Sequence, residues 1–298
     1  MENDAQPAAD ERGPLDRSRL GADFAARAGL SRLEIADELG STNTELSRLA
    51  ETEPDAWGDL AVLVADHQIH GHGRLHRPWA SPAGSSLAVS ILLRPHNGSG
   101  RPLPTQCYSW FSPLAALALR ESLAQVAGLE SALKWPNDVV VGGLKISGIL
   151  AHLAPGAHGE PPAVVLGTGI NVSLRQEELP VPTATSASLA AGRPVDRTDV
   201  LVAYLEDFAR RYRAFCSVDG SADASLAGGR SLLSEVQDAT ISLGRRVRVE
   251  LPGGRRLEGR AVGLDGHGAL QIVEDDGGRH TVSAGDVVHL RPANGGYA

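Results

Sequence analysis

The stretch from 133 to 150, LKWPNDVVVGGLKISGIL, constrains the fold most, because it specifies three short β-strands joined by two tight turns. The turn residues Pro136-Asn137-Asp138 follow a short predicted strand at 132–135. Gly142-Gly143 separates two runs rich in Val, Ile and Leu, which is the pattern of a β-hairpin. The chain must therefore contain a sheet in which this strand, turn and hairpin form one unit.

The same stretch carries an unusual pair of charges. The chain has 28 basic side chains, of which two are lysines, Lys134 and Lys145, and the other 26 are arginine. Lysine is a compact point charge and arginine is a planar fork, so they are not interchangeable where a cation must approach a phosphate or carboxylate. The pair indicates an anion site, although two lysines on a solvated hairpin are the alternative.

Composition excludes several classes of protein. The 298 residues suit one large domain with a small one, and no apolar run is long enough for a membrane span. The polar N-terminus lacks the apolar core of a signal peptide, so we expect a cytoplasmic protein. A net charge of −8 argues against nucleic acid as the main partner. Cys107 and Cys216 lack metal-ligand spacing and are expected to be reduced thiols.

Strand and helix signals alternate along the first 237 residues, after a tail at 1–15 that is expected to be disordered. Ser41 or Thr42 is a good helix N-cap, and Glu45 would complete a capping box with Thr42. The remaining predictions are helices at 16–29, 112–128, 198–215 and 225–235, strands at 31–35, 60–65, 85–93 and 164–169, and loops at 66–79 and 185–189.

After residue 238 the pattern changes to short alternating strands between Pro, Gly and Asp turns, which indicates a small β-barrel. We therefore predict a catalytic domain at 16–237 and a C-terminal domain at 238–293. Glycines in the first domain are spread over 71–73, 142–143, 148 and 167–169. This spread predicts a pocket that has a sheet as its floor and several loops meeting at one end.

The candidate site residues favour electrostatic chemistry over covalent catalysis. The chain has no P-loop, no GxGxxG motif after its first strand and no HExxH zinc motif. No Ser-His-Asp or Cys-His pair is evident. Lysines, arginines, Asn137, Asp138 and Asn171 together could bind a polyanion with a divalent ion, so positioning and stabilisation of phosphoryl oxygens is the expected mechanism.

These residues resemble the bacterial biotin–protein ligases, also called biotin–[acetyl-CoA-carboxylase] ligases. KWPND followed closely by GLKxxGIL is the most specific part of the resemblance. The motifs follow the family's order: STN at 41–43, the loop at 68–79, KWPND at 134–138, GLKISGIL at 143–150, GTGIN at 167–171, TSASL at 185–189 and VSAGDVVHL at 282–290.

The resemblance implies an α+β fold: a mixed β-sheet catalytic domain flanked by helices, of the class II synthetase-like biotin–lipoate ligase type, plus a small C-terminal SH3-like β-barrel. It also implies a two-step reaction. Biotin and Mg-ATP would give biotinyl-5′-AMP and pyrophosphate, and the adenylate would then acylate one lysine of a biotin carboxyl carrier domain. Biotin, ATP and magnesium would be substrates, with no tightly bound cofactor.

The resemblance also assigns roles by position. The catalytic residues would be Lys145, Arg74 and Asp138. Biotin would be bound by Ser41, Thr42, Asn43, Gln68, Gly71, His72, Gly73, Arg74, Lys145, Gly148, Gly167 and Gly169. ATP would be bound by Arg74, Arg77, Trp79, Lys134, Asn137 and Asn171, and its magnesium by Asn171 and Asp138.

The chain departs from the family pattern in its glycine loop. The family's GRGRRGR is here GHGRLHR at 71–77, which removes charge and one flexible glycine but keeps Arg74 and Arg77. His152 stands where an acidic residue often follows GIL. About 30 residues precede the first strand, too few for the DNA-binding domain of some members, so we expect the short form without DNA binding. A lipoate or octanoate ligase of the same fold, or a non-catalytic biotin- or carrier-binding protein, are the alternatives; monomer and homodimer are both compatible with the sequence.

Overall fold

A computed structural model describes residues 12–156, 159–226, 228–251, 256–283 and 286–289. The helices are α1 Ala22–Ala28, α2 Thr42–Thr52, α3 Phe111–Ala127, α4 Ala187–Ala191, α5 Arg197–Ser217 and α6 Leu232–Ala239. The strands are β1 Arg32–Leu39, β2 Ala61–Gln68, β3 Gly71–His72, β4 Pro78–Trp79, β5 Ser86–Leu93, β6 Ser131–Lys134, β7 Asp138–Val141, β8 Leu144–Ala154, β9 Ala163–Asn171, β10 Arg246–Glu250, β11 Arg256–Leu264, β12 Leu270–Val273, β13 Arg279–Val282 and β14 Asp286–His289.

A mixed seven-stranded sheet organises the larger part of the chain. Its strand order is β1-β2-β5-β9-β8-β7-β6, and among these neighbours β1 and β2 pair in parallel whereas the others are antiparallel. The strand, turn and hairpin predicted from 133–150 form β6, β7 and β8 at one edge. The predicted α+β class with a mixed sheet flanked by helices is confirmed.

Two long helices cover one face of this sheet. The side chains predicted to form the apolar stripe of α5 are all buried, from Leu201 to Phe215. Phe111 of α3 lies 5.7 Å from Tyr212 and 6.1 Å from Phe215 between ring centroids, so aromatic contacts join the two helices. The larger apolar core lies between these two helices and the sheet, and other elements pack on the opposite face of the sheet.

Helix α2 covers part of the opposite face. Leu46, Leu49 and Ala50 pack on Leu63 and Val165 in a separate apolar cluster. Ser41 is the N-cap, because its side chain accepts a hydrogen bond from Thr44 N–H. The capping box predicted for Thr42 and Glu45 is wrong, since Glu45 lies one residue too late and pairs instead with Arg48. The beginning of α2 therefore lies over the middle of the sheet.

Several boundaries differ from the sequence predictions. Helix α1 begins at Ala22, later than predicted, and α6 occupies 232–239 instead of 225–235. Helix α3 begins at Phe111, so Ser112 is not its N-cap; the 3-10 helix Thr105–Trp110 runs directly into it, and Trp110 already has helical backbone angles.

Three segments are more ordered than predicted. Residues 12–15 are packed, because Arg12 donates two hydrogen bonds to Glu178 and Leu15 is buried. GTGIN lies entirely within β9, where it was predicted to end a strand. The predicted loop at 185–189 contains the start of α4, for which Ser186 is the N-cap.

The C-terminal strands form a five-stranded antiparallel sheet with the order β13-β12-β11-β10-β14. This is the small β-domain that the sequence predicted, although the predicted turn at 252–254 and residues 290–293 lie outside the described part of the chain. Two indole N–H groups connect it to the large sheet: Trp110 donates to Gly266 O and Trp135 to Gly268 O. The turn at 135–137 is therefore tied to the C-terminal domain.

The described cysteines and helices agree with the compositional expectations. Cys107 and Cys216 are both free and buried, and burial raises the pKa of the Cys107 thiol to about 11. Among the described residues, no helix combines the length and the apolar character that crossing a bilayer requires.

Candidate active site

The floor of the site is a row of small residues that crosses the face of the sheet shared with α2. Gly148 on β8 pairs with Gly169 on β9, and Gly169 pairs with Ala88 on β5. The neighbouring row contains Gly167, which pairs with Leu150 on one side and Ser90 on the other. Glycines at successive positions of one face leave a slot whose floor is backbone, so a flat ligand could lie directly on the sheet.

A β-bulge places Lys145 on the same face as Gly148. Residues three apart in a regular strand point to opposite faces. Here the register shifts between Val139 and Val140, so that Ser147 pairs with Val139 but Lys145 pairs with Val140. The additional residue turns Lys145 towards the glycine row, and a Cβ added at Gly148 would lie 3.2 Å from its Nζ.

The row that contains Gly169 and Gly148 continues across β7 and β6, and both lysines lie at this end of it. Lys134 on β6 pairs with Asp138 on β7, which pairs with Gly148. Lys145 Nζ lies 2.6 Å from Asp138 Oδ1, and the Lys134 residue is buried at 4% exposure. The compositional signal therefore corresponds to two cations at one end of one slot, which contradicts the solvated-hairpin alternative.

Neutral polar groups line the opposite end of the slot. Thr42 donates from its backbone N–H and its hydroxyl to Gln68 Oε1, at 2.9 and 3.2 Å. Asn43 Nδ2 donates to Leu150 O at 3.2 Å, and Ser90 Oγ lies 2.6 Å from Asn43 Oδ1 and 2.7 Å from Thr42 Oγ1. These contacts fix the side chains that begin α2, so amide and hydroxyl groups face the slot without a net charge.

Trp79 forms one wall. A Cβ added at Gly169 would lie 2.5 Å from the Trp79 ring, and Lys145 Nζ lies 5.9 Å from the ring centroid. Gly169 therefore permits the indole to lie flat against the sheet. Gly71 has a supporting position, because a Cβ there would lie 2.3 Å from Gln68 Nε2 and 2.4 Å from Trp79 O.

The segment predicted as one long loop at 66–79 begins with the last three residues of β2 and continues as a small two-stranded ribbon at 71–79. Its strands β3 and β4 pair Gly71 with Trp79, and Gly73 N–H donates to Arg77 O at 2.8 Å. Leu75 and His76, two of the three residues that break the family pattern in this loop, both adopt left-handed backbone, with φ of 54° and 57°. That conformation favours glycine, so the ribbon tip carries local strain.

Two further connections position the charged end. Arg74 Nη1 donates to Asn137 Oδ1 at 3.3 Å, which joins the ribbon to the turn at 135–137. The segment at 183–185 pairs with the backbone of Lys145, through Lys145 N–H to Thr183 O and Thr185 N–H to Lys145 O, both 2.8 Å. Asn171, buried at 4% exposure, donates to Thr185 O at 3.0 Å.

These elements enclose one cavity of about 610 Å³, within the range usual for small-molecule sites. Gly71, which supports Gln68 and Trp79 from behind, is not part of its lining. The other predicted site residues all line it: Ser41, Thr42, Asn43, Gln68, His72, Gly73, Arg74, Arg77, Trp79, Lys134, Asn137, Asp138, Lys145, Gly148, Gly167, Gly169 and Asn171.

Sequence reasoning missed several contributors, among them Ser90, Glu250 and Val287. Ser90 is fully buried, and its only sequence signal is a hydroxyl inside the apolar run SLAVSILL. Glu250 and Val287 reach the cavity from the C-terminal domain, which no local motif indicates. The two residues predicted to bind the magnesium of ATP, Asn171 and Asp138, both line the cavity.

Comparison with known proteins assigns the family. Residues 38–171 match the Biotin/lipoate A/B protein ligase family, and 242–290 match the Biotin protein ligase C terminal domain. The biotin–[acetyl-CoA-carboxylase] ligase of Mycobacterium tuberculosis is 36% identical over 94% of this chain and 97% of its own length. The chain belongs to the biotin protein ligase family.

Other members agree. The biotin–[acetyl-CoA-carboxylase] ligase of Paracoccus denitrificans is 31% identical, covering 83% of this chain and 96% of its own. The biotin protein ligase of Aquifex aeolicus, solved in complex with biotin and ATP, is 26% identical with a TM-score of 0.68, over 88% of this chain and 99% of its own. The similarity that supports the family assignment therefore covers both domains of the chain.

Proposed function

We propose that this chain is a biotin–protein ligase that uses ATP to activate biotin and then transfers it to a lysine of a biotin carboxyl carrier domain. The observation that carries the proposal is the backbone-floored slot with neutral polar groups at one end and two lysines at the other. Biotin has the same asymmetry, since its ureido group is neutral and its carboxylate is an anion. The relatives named biotin–[acetyl-CoA-carboxylase] ligases support this substrate over lipoate.

The ureido end of biotin is assigned to the start of α2. Ser41, Thr42, Asn43 and Gln68 supply donors and acceptors, which a buried neutral amide requires. Gly167 and Gly169 allow Asn43 and Trp79 to approach the sheet and border the ring system, because a Cβ at either position would collide with one of these side chains. His72 and Gly73 in the ribbon would cover the ligand, and Gly71 would hold the ribbon close to Gln68.

Lys145 is assigned to the reacting centre. Its ammonium is paired with Asp138, and it lies beside Gly148 at the charged end of the slot. A biotin carboxylate oxygen attacks the α-phosphorus of ATP, and the bond to pyrophosphate breaks. Both reactants are anions, so a cation between them lowers their repulsion and stabilises the charge that develops on the phosphoryl oxygens.

The nucleotide is assigned to the remaining cations and Trp79. Lys134, Arg74 and Arg77 line the cavity around the turn that contains Asn137, where they would face the phosphates. Trp79 offers a flat surface for the adenine. Magnesium enters as part of the Mg-ATP substrate, and we assign Asn171 and Asp138 as the residues that would supply oxygen ligands to it.

In the second step the amine nitrogen of the carrier lysine attacks the carbonyl carbon of biotinyl-AMP. The carbon–oxygen bond to AMP breaks, and the nitrogen loses its extra proton to water. We assign this chemistry to a ligase domain at 16–237 and a C-terminal domain at 238–293. The cytoplasm is the proposed compartment, because ATP is supplied there.

Lys145 provides the decisive test. We expect Lys145→Ala to lower the rate of biotin-dependent pyrophosphate exchange by about 100-fold to 1,000-fold, as for other deleted transition-state contacts. Lys145→Arg should restore part of the rate, because it returns the charge in a wider side chain. The measurement is exchange of labelled pyrophosphate into ATP with saturating biotin.

Lipoate in place of biotin is the substrate control for the same assay. Exchange with lipoate but not biotin would contradict the proposed substrate. Exchange with neither acid would contradict enzymatic activity. An unchanged rate in Lys145→Ala, with biotin as substrate, would contradict the mechanism alone.

A further inference from the structure

The charges that line the cavity include two carboxylates among the described residues, and their situations differ. Asp138 lies on the sheet and forms the close ion pair with Lys145. Glu250 comes from the C-terminal domain, as the last residue of β10. An acidic residue from a second domain therefore lines a site whose cations suit anions.

Glu250 is held only weakly by its neighbour. Its side chain is 52% exposed, and its carboxylate lies 3.7 Å from Arg256 Nε, beyond hydrogen-bond distance, while Arg256 itself is 68% exposed. Exposed ion pairs of this kind contribute little. Glu250 can therefore exchange Arg256 for another cation without a large loss.

No step of adenylate formation requires the negative charge of Glu250. ATP carries several negative charges, and a carboxylate at the same cavity repels them. After pyrophosphate leaves, the second substrate must bring a lysine to the adenylate, and that lysine reaches the enzyme as an ammonium ion. A carboxylate at the cavity attracts this ammonium, which then releases one proton to water to give the neutral amine that attacks the adenylate.

We propose that Glu250 receives the ammonium group of the acceptor lysine and positions it for the second half-reaction. This inference rests on the proposed function. It makes Glu250 a positioning residue that acts on binding of the acceptor and leaves adenylate formation unaffected.

Separate assays of the two half-reactions test the proposal with Glu250→Gln. We expect unchanged pyrophosphate exchange and a rise of about twofold to fivefold in KM for the carrier domain, the size of one partly exposed ion pair. Glu258→Gln is the matched control, because Glu258 is a partly exposed acid on the adjacent strand that pairs with Arg248 and does not line the cavity. It should alter neither assay.

A neutral nucleophile distinguishes a loss of attraction for the lysine ammonium from a general loss of activity in the second half-reaction. Hydroxylamine is largely uncharged at neutral pH and converts biotinyl-AMP to a hydroxamate, so Glu250→Gln should form it at the wild-type rate. Glu250→Lys should raise the carrier KM further than Glu250→Gln does. Equal carrier KM in Glu250→Gln and Glu258→Gln would overturn the proposal, as would a parallel loss of pyrophosphate exchange, which would assign Glu250 to the nucleotide. Absence of exchange in the wild-type chain would instead refute the proposed function.

Discussion

Gly167→Ala offers the most direct measurement of the backbone-floored slot. A Cβ at this position would lie 2.3, 2.5 and 2.6 Å from three atoms of the Asn43 side chain. Contacting heavy atoms need about 3.5 Å, so Asn43 must retreat by about 1 Å. That movement breaks its contacts with Ser90 Oγ at 2.6 Å and Leu150 O at 3.2 Å.

The magnitude follows from these two hydrogen bonds. Each hydrogen bond contributes about 1 kcal/mol. Loss of both should therefore weaken biotin binding by about 2 kcal/mol, which raises the Kd for biotin about 30-fold. Overpacking should also lower the free energy of unfolding by about 1–3 kcal/mol. Isothermal titration with biotin alone, before ATP is added, measures the first quantity, and chemical denaturation measures the second.

Two further variants make the result interpretable. Gly98→Ala is the control, because a Cβ there meets nothing within 4 Å and the residue has ordinary φ. If the collision with Asn43 causes the loss, Gly167→Ala should become nearly neutral in an Asn43→Ala background, since the two changes share one contact. Wild-type affinity for biotin in Gly167→Ala, or full additivity in the double variant, would refute the reasoning.

Two other predictions follow from neighbouring contacts. Gly169→Ala should displace the Trp79 ring, 2.5 Å from the added Cβ, and raise the KM for ATP in pyrophosphate exchange more than it raises the Kd for biotin. Burial lowers the pKa of His152, so the unfolded chain binds the proton more readily and folded stability falls as pH drops below about 6.5. His152→Gln can keep the contact to Ser47 Oγ, 2.6 Å from His152 Nε2, and should unfold in denaturant with a shallower dependence on pH between 5 and 7; an unchanged slope would contradict the assignment.

The strands and long helices could be predicted because their apolar periodicity is local. The stripe of α5 and the hairpin at 139–150 needed no knowledge of the rest of the chain. The start of α3 could not be predicted in the same way. Ser112-Pro113 is a strong local start signal, but the preceding 3-10 helix already supplies helical backbone, so the cap was not needed.

The candidate site was predictable as a list of residues and unpredictable as a geometry. The motifs identified the side chains at the start of α2, in the ribbon and along β8. The bulge that turns Lys145 towards Gly148 has no signal in GLKISGIL, because it depends on how β7 and β8 pair. Ser90 and Glu250 were missed for a related reason, because neither belongs to a local motif: Ser90 contacts Thr42 and Asn43 across the fold, and Glu250 lines the cavity from the C-terminal domain.

The geometry explains why the chain uses lysine at these two positions and arginine elsewhere. Lys145 Nζ fits between Asp138 Oδ1 at 2.6 Å and the position that a Cβ would take at Gly148, 3.2 Å away. A planar guanidinium is wider than an ammonium and would have to displace either the ion pair or the neighbouring Trp79 ring. Lys134 is buried at 4% exposure in the same row. The lysine ammonium on its flexible side chain can leave Asp138 and follow the reacting oxygens across the slot. An arginine guanidinium, whose five donors would be held by several partners, cannot.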